Sequence, residues 1–358
     1  MTALAGDIDE GHSTAVSWAD FDADGDLDLH VSNGNNCTGE LTPWPNSLLR
    51  NQGDGTFEDA SALLPDSPSH GVTLDSLWVD YDLDGDQDLY VGNDEIGAVP
   101  NGLIRNDGAA GFVDASAASE SGILRSTMGL ASADVDADGN FDIAATDIGR
   151  AALLLGRDAR SFGEQAEELG FGRESAGEGE SITWGIAFAD FDSDGDEDAY
   201  AAAGGLGFDP GAPDLLHLND GTGRFSTEEV AAAGSGRGVA TADFDADGDV
   251  DVAVGQLGGL LLLLANAAPI SGNWLELRLV GRESARDACG AIVRISADGE
   301  EQLRQVSCRA GSKDVHVGLG DADFADVTIE WPSGRTQTLD GLEANQLRVV
   351  REPRGQGG

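Results

Sequence analysis

The sequence predicts an all-β protein, a five-bladed β-propeller followed by a small β-sandwich or barrel. Three observations carry this. A nine-residue aspartate pattern recurs five times, at intervals of 60, 54, 56 and 53 residues, each copy set between short apolar runs. A second pattern, built on a glycine turn, follows the first four copies. After residue 268 the repeat ends, and short runs of alternating apolar and polar residues continue to residue 351.

Each repeat opens with an apolar run such as Val16-Ser-Trp or Ser76-Leu-Trp-Val, then the aspartate loop, then a second run such as Leu29-His-Val or Val252-Ala-Val. Strand, loop, strand is the reading. The loops are Asp20, Asp22, Asp24, Asp26 and Asp28; Asp80, Asp82, Asp84, Asp86 and Asp88; Asp134, Asp136, Asp138, Asn140 and Asp142; Asp190, Asp192, Asp194, Asp196 and Asp198; and Asp243, Asp245, Asp247, Asp249 and Asp251. Glycine holds the sixth position throughout (Gly25, Gly85, Gly139, Gly195, Gly248). The second pattern runs from Leu48 to Phe57, recurs from Leu103 to Phe112, weakens between Leu153 and Phe162, and returns from Leu215 to Phe225. It supplies a third strand, a turn and a fourth strand. Four antiparallel strands every ~55 residues make one propeller blade, and such a repeat buries its faces only by stacking on its neighbours.

The fifth repeat supplies a second strand near Val252 to Gly255 and a third near Leu260 to Leu264, then changes character at Ala267. It therefore lacks an outer strand. Thr2 to Ala5 hold the place that Phe57-Glu-Asp-Ala holds before the second blade, so the N-terminus is expected to supply that strand and close the ring. The rival is a larger ring whose first blades precede residue 1. The division expected is 1–268 for the propeller, 269–351 for the second domain and 352–358 for a flexible tail.

The spacing Asp-x-Asp-x-Asp-Gly-x-x-Asp suits calcium, which takes six to eight oxygens: carboxylates at positions 1, 3, 5 and 9 and a backbone carbonyl at 7. Asn140 stands at position 7, where only the carbonyl is needed. An EF-hand is excluded, because its Glu at position 12 is replaced by Val31, Val91, Ala145, Ala201 and Val254. The alternative is a set of metal-free Asx turns, opposed by the mutual repulsion of so many carboxylates in one turn. About five structural Ca²⁺ are expected.

Composition narrows the function classes. Sixty-six acidic residues against twenty basic ones, of which Lys313 is the only lysine, give a formal charge of -46. Such a field repels nucleic acid and anionic lipid. The most apolar run, Leu260 to Ala265, is far short of the ~18 residues that span a bilayer, so membrane insertion is not expected. The N-terminus lacks the basic start and apolar stretch of a signal peptide, consistent with a mature protein or with a start inside a longer precursor.

The five loops, with Leu48-Leu-Arg-Asn-Gln-Gly-Asp-Gly-Thr-Phe57 and its copies, resemble FG-GAP/VCBS repeats, the calcium-loop blades of integrin α-subunit propellers and many secreted bacterial proteins. Gly272-Asn-Trp-Leu-Glu-Leu-Arg-Leu-Val-Gly281, Gly290-Ala-Ile-Val-Arg, Val317-Gly-Leu-Gly320, Trp331-Pro-Ser-Gly334 and Asn345-Gln346 resemble an ASPIC/UnbV domain. Together they resemble the cartilage acidic protein family and its bacterial relatives. Departures are Val317, where that family usually has Phe, and Cys289 before the Gly-Ala pair. The blade count is also below the seven common in integrin-like propellers.

In the second domain Asp298-Gly299 is a two-residue hairpin turn. Pairing about it gives partners whose numbers sum to 597, a sum that Cys289 and Cys308 share. A disulfide there closes a loop worth ~3 kcal/mol in the chain-entropy model. The pair falls at a hydrogen-bonded site, so a bulge is expected between turn and disulfide; the alternative is two small buried thiols. A disulfide implies an extracellular, cell-surface or periplasmic location. Cys37 is left free or bonds another chain.

Motifs for nucleophilic, zinc or phosphate chemistry are absent, and only five histidines and one lysine are present. His30, His217 and His316 sit in strand-like runs, and Trp18 and Trp78 share a place that suits blade packing. The reading is an extracellular, calcium-stabilised binding or adhesion protein recognising a protein or glycan. The alternative is a propeller-based enzyme, a lyase or dehydratase, or a biosynthetic accessory protein. The partner site is expected on the face opposite the calcium loops, where loops vary most. Trp44 and Phe208 lie in the loops joining second and third strands, and His12, His70, Arg125, Trp184 and Arg237 precede the innermost strands, where they are expected to ring the channel mouth.

Overall fold

The structure, a computed structural model, describes residues 12–34, 43–158, 160–172, 182–205, 212–230, 234–267, 272–309 and 311–355. Thr2–Ala5, Cys37 and Phe208 lie outside the described residues. The chain is all-β. Blade 1 comprises β1 (Ser13–Ala19), β2 (Asp28–Asn33), β3 (Ser47–Asn51) and β4 (Phe57–Asp59). Blade 2 comprises β5 (Val72–Val79), β6 (Asp88–Asp94), β7 (Gly102–Asn106) and β8 (Phe112–Asp114). Blade 3 follows as β9 (Leu130–Ala133), β10 (Asp142–Ala145), β11 (Ala152–Arg157) and β12 (Ser161–Glu164). Blade 4 is β13 (Ile182–Ala189), β14 (Asp198–Gly204), β15 (Asp214–Asn219) and β16 (Phe225–Val230). Blade 5 has three described strands: β17 (Gly236–Ala242), β18 (Asp251–Gln256) and β19 (Leu262–Leu264). Within each blade, strands pair antiparallel in chain order.

Both faces of a blade carry apolar side chains because each is pressed between neighbours. Ala19, Phe21 and Leu48 of blade 1 pack on Trp78, Leu89, Val91 and Ile104 of blade 2. Tyr81, Tyr90 and Leu103 then meet Leu130, Phe141 and Ile143, and the pattern continues into blades 4 and 5. Each Leu or Phe so buried contributes ~1.5–3 kcal/mol. In blades 1, 2, 4 and 5 the first hairpin carries a bulge near the start of its inner strand, around Thr14, Leu74, Trp184 and Arg237 respectively.

The C-terminal domain is a two-sheet sandwich. β20 (Asn273–Val280), β23 (Val315–Gly320) and β26 (Gln346–Arg351) form one sheet, with β20 and β26 parallel. The other contains β21 (Ile292–Ala297), β22 (Glu300–Gln305), β24 (Phe324–Glu330) and β25 (Thr336–Glu343). Its core includes Leu275, Leu277, Val293, Val317, Val327 and Trp331. β21 and β22 pair from Ala297↔Glu300 to Ile292↔Gln305, the register set by the Asp298-Gly299 turn. Gly290, at φ +86°, then donates to Val306 O while Val306 N donates to Ala291 O, a bulge beyond which Cys289 and Cys308 are joined, with Cα atoms 5.5 Å apart.

Glu352, expected in the tail, is part of the sandwich. Glu352 is buried, and its Oε2 accepts from the backbone N–H groups of Arg282, Glu283 and Ser284 at 2.5–3.0 Å. Those donors bind it into the sandwich. Among the described residues, no helix is long and apolar enough to cross a membrane.

Candidate metal centres

The five aspartate loops adopt one conformation. Position 4 (Ala23, Leu83, Ala137, Ser193, Ala246) has φ between +54° and +62°, and the position-6 glycine between +83° and +107°. Left-handed backbone is strained for a residue with a Cβ, so five repetitions need a common compensation. Part of it comes from position 1. Its two carboxylate oxygens accept from the N–H groups of positions 5 and 6 at 2.9–3.2 Å in every loop. Position 9 ties the loop to its blade. Its Oδ1 accepts from Asn51, Asn106, Gly156, Asn219 or Asn266 N at the end of the third strand, at 2.7–2.8 Å.

These bonds leave carboxylate oxygens facing inward. Oxygens of Asp20, Asp22 and Asp28 lie within 4.8 Å of one another, as do those of Asp80, Asp82 and Asp88, Asp134, Asp136 and Asp142, and Asp243, Asp245 and Asp251; in blade 4 the trio is Asp190, Asp192 and Asp194. Oδ1 of Asp82 and of Asp136 is buried with no hydrogen-bond partner. A buried anionic oxygen without a donor is costly, and a cation at the trio would satisfy it.

The electrostatics agree. Burial, followed by carboxylate repulsion and opposed by the backbone donors, pushes Asp20 up to about 6 and Asp80, Asp134 and Asp190 up to about 7. At position 9, burial raises Asp28 to about 7 and Asp198 to about 8, and holds Asp88 and Asp142 well above the usual carboxylate range. Carboxyls so perturbed ionise at neutral pH when a positive charge stands among them. The donor set is all oxygen, which suits a hard divalent cation.

Asp24, Asp84 and Asp138 at position 5 accept from the N–H of position 7. The side chains of Asp26, Asp86 and Asp196 at position 7 turn to the hairpin joining the third and fourth strands, where Gly53, Gly108 and Gly221 leave them room. That leaves only the backbone carbonyl of position 7 for an ion. Asp249 and Asn140, at the same position, likewise stand outside the carboxylate trios.

The C-terminal sandwich sits on this loop face. Gln305 Oε1 accepts from Asp80 N (3.0 Å), and its Nε2 donates to Gln87 Oε1 (3.0 Å) and Trp78 O (3.2 Å). Arg304 pairs with Glu197 at 2.5 Å, both side chains 9 % exposed. Gly318 N donates to Asp190 Oδ2 (2.9 Å), and His316 Nε2 donates to Gly248 O (2.9 Å). Arg309 enters the channel, where it pairs with Asp75 and donates to Leu130 O (2.6 Å). No sequence motif marks this docking. Its trace is the eighth loop position, polar in Gln87 and Glu197 where Leu27, Phe141 and Val250 are apolar.

A cavity of about 440 Å³ remains between the inner strands and the 303–316 segment. Arg237 lines it with Glu197, Glu276, Arg304 and His316, whereas His12, His70 and Arg125 do not. Arg237 is also packed rather than solvated. It lies 3.9 Å over the Trp184 ring and donates to Ser235 Oγ (2.7 Å), Gly236 O (2.7 Å) and Gly205 O (2.9 Å). Trp184 Nε1 donates to Gly204 O (3.2 Å). The two meet because both occupy the bulge of adjacent blades.

The other residues expected at the partner site stay apart. His12 O accepts from Gly34 N (2.9 Å), whose own carbonyl accepts from Trp44 N (3.4 Å). His70 lies 3.8 Å from Asp66, and Arg125 3.6 Å from Asp147. His30 is buried, its Nδ1 2.9 Å from Ser76 Oγ, with burial holding it neutral down to about 3.

Residues 20–91 match the family model of an FG-GAP-like repeat, and residues 281–357 match that of ASPIC and UnbV. The chain thus carries an FG-GAP-like repeat and a C-terminal ASPIC/UnbV domain. No curated protein sequence matches it. Similar solved structures include an Agrocybe aegerita lectin that recognises non-reducing terminal N-acetylglucosamine (16 % identity, 93 % of this chain and 81 % of that one, TM-score 0.42). Another is the exotype rhamnogalacturonan lyase YesX (14 % identity, 94 % and 73 %, TM-score 0.37). A third is the V. cholerae biofilm matrix protein Bap1 (12 % identity, 92 % and 59 %, TM-score 0.41).

Proposed function

We propose that this chain is an extracytoplasmic binding protein whose propeller is held by about five structural calcium ions and recognises a protein or glycan on the face opposite the calcium loops. The observation that carries this reading is the seat of the ASPIC/UnbV domain. It covers the loop face through Gln305, Arg304, His316 and Gly318, so the calcium loops serve the fold and the opposite face is left for a partner. There the loop joining the second and third strands of blade 1 presents Trp44, tied through the Gly34 backbone to His12, and the interblade segment before blade 3 presents Arg125. Calcium's part is to fix the loops: position-1, -3 and -9 carboxylates, and in blade 4 those of positions 1, 3 and 5, would hold it, and it would neutralise charge that otherwise repels. The Cys289–Cys308 bond supports an oxidising compartment.

The test is a glycan and extracellular-protein array probed in calcium and after chelation. Binding that fails after chelation, and fails in calcium for Trp44→Ala with Arg125→Ala at unchanged melting temperature, supports the reading. Binding that survives both changes places recognition elsewhere.

A further inference from the structure

In each aspartate loop the second residue stands between two of the clustered carboxylates, those of positions 1 and 3, and its backbone is held on both sides. Its N–H donates to the position-9 Oδ2 of the same loop, from Phe21, Tyr81, Val135, Phe191 and Phe244, at 2.8–3.3 Å. Its carbonyl belongs to the peptide that leads into the position-3 aspartate. In blades 1, 3 and 4 that carbonyl accepts from the next blade. Asn106 Nδ2 donates to Phe21 O (2.8 Å), Asn219 Nδ2 to Val135 O (2.7 Å) and Asn266 Nδ2 to Phe191 O (2.7 Å).

The same asparagines donate their backbone N–H to the position-9 Oδ1 of their own blade, on Asp88, Asp198 and Asp251, at 2.7–2.8 Å. One residue thus touches two loops. Its backbone ends on a carboxylate of one, and its side chain on the peptide before a carboxylate of the other. The series breaks once. Blade 3 has Gly156 in this place; its N–H still donates to Asp142 Oδ1 (2.7 Å), but it has no side chain to reach Tyr81 O. A Cβ on Gly156 would stand 2.7 Å from Phe141 O, so the backbone there leaves no room for an asparagine.

We infer that the calcium loops fill as two coupled sets, blades 1 and 2 in one and blades 3, 4 and 5 in the other, with Asn106, Asn219 and Asn266 as the positioning residues that couple them. The inference rests on the calcium reading above. With the loop of blade 2 filled, Asp88 is fixed and seats Asn106. Asn106 then holds the Phe21–Asp22 peptide, so the loop of blade 1 has less left to order when its own ion binds. By linkage the effect is mutual. Repulsion between neighbouring ions opposes it, and does so whether or not an asparagine joins the loops.

Competition titration of the full chain against a fluorescent calcium chelator tests this, with Asp82→Ala used to empty the loop of blade 2. That change should lower the affinity of one remaining site, the loop of blade 1, by about fivefold or more and leave the other three unchanged. In an Asn106→Ala background it should remove one site and alter no other. Ile104→Val thins the same interblade packing without touching these bonds, and in that background the effect of Asp82→Ala should persist. A second cycle stands by itself should Asn106→Ala not fold. Asp136→Ala, which empties the loop of blade 3, should weaken the set of blades 4 and 5, and Asn219→Ala should abolish that effect. The coupling is overturned if emptying either loop weakens no other site, or weakens one equally with and without its asparagine. If Asp82→Ala weakens more than one site, the division at Gly156 is overturned. A chain that binds no calcium overturns the calcium reading as well, whereas ions bound without coupling overturn this inference alone.

Discussion

Arg309 of the C-terminal sandwich is ion-paired with Asp75 of β5, 234 positions away in sequence, inside the propeller channel. Asp75 Oδ2 also accepts from Leu130 N (2.9 Å), and Arg309 donates to Leu130 O, so one arginine ties the sandwich to blades 2 and 3 together. Asp75 is buried and Arg309 largely so. Removing one partner strands a charge in a poorly hydrated site, at a cost of roughly 3 kcal/mol. Arg309→Ala should therefore lower the denaturation midpoint and expose the 303–316 segment to protease. Asp75→Asn with Arg309→Met should cost less than the two single changes added, and additive losses in that double-mutant cycle would show that the pair is not coupled.

Chelation should lower the melting temperature by many degrees. Each ion bound to the folded state alone adds ~2.7 kcal/mol at a hundred times its dissociation constant. Asp82→Ala removes a carboxylate whose Oδ1 is buried without a donor, and it should reduce the calorimetric calcium stoichiometry by one while leaving the other loops filled. An unchanged melt after chelation would sink the calcium assignment.

The ion-free protein should have an inverted pH profile. Asp28, Asp80 and Asp134 stand at about 7 in the folded chain, above the ~3.9 of an unfolded aspartate. Between those values the native state holds more protons than the unfolded one, so stability falls as pH rises from about 4 to about 7. Calcium reverses the sign, because its binding needs the deprotonated carboxyls. Melting curves of decalcified protein at pH 5 and pH 8 should therefore show the acid sample as more stable, and the calcium-loaded pair the opposite. Parallel trends in the two series would contradict this.

The Cys289–Cys308 bond closes a short loop at the hairpin whose strand bears Arg304 and Gln305. Reduction should cost ~3 kcal/mol and loosen the loop-face docking before the blades themselves. Non-reduced peptide mapping should recover the two cysteines joined. Free thiols at both positions in protein recovered from an oxidising compartment would refute the bond.

What could be read from the sequence is what short separations encode. A metal loop spends its ligands within nine residues, so Asp80 to Asp88 is visible as a string. The 597 register is likewise fixed by the two residues Asp298 and Gly299 at its turn. Contacts between distant segments left almost no mark. Arg304 reaches Glu197 and Gln305 reaches Gln87 across long stretches of chain, and a single polar residue at the eighth loop position is the whole signal. The left-handed fourth position was hidden for another reason: Ala23, Leu83 and Ser193 are residues that do not favour it, and the loop's own hydrogen bonds impose it. Trp18 shows the limit of reading by equivalence. It shares its place with Trp78, yet one is exposed and the other buried, because burial here depends on what stands beside the blade.

The partner face can be tested with substitutions chosen from the contacts. Arg237→Ala is a poor probe, because the guanidinium covers Trp184 and caps Gly205 O and Gly236 O, so its loss should lower stability by ~1–3 kcal/mol whatever it does to binding. Arg125 is different. Its side chain is 38 % exposed and 3.6 Å from the buried Asp147, whose Oδ1 keeps the N–H groups of Ser126 and Ile148 when the arginine is gone. Trp44 sits half-buried between Pro43 and Pro45, and its buried Nε1 lacks a protein partner. Arg125→Ala and Trp44→Phe should therefore leave the melting temperature within a few degrees of wild type. Both should weaken capture of whichever array hit the wild type shows, Trp44→Phe through loss of ring surface. Arg309→Ala, on the covered face, should leave capture unchanged once the protein is folded. If Arg309→Ala abolishes capture while Trp44→Phe and Arg125→Ala preserve it, recognition belongs to the sandwich side and the proposed face is wrong.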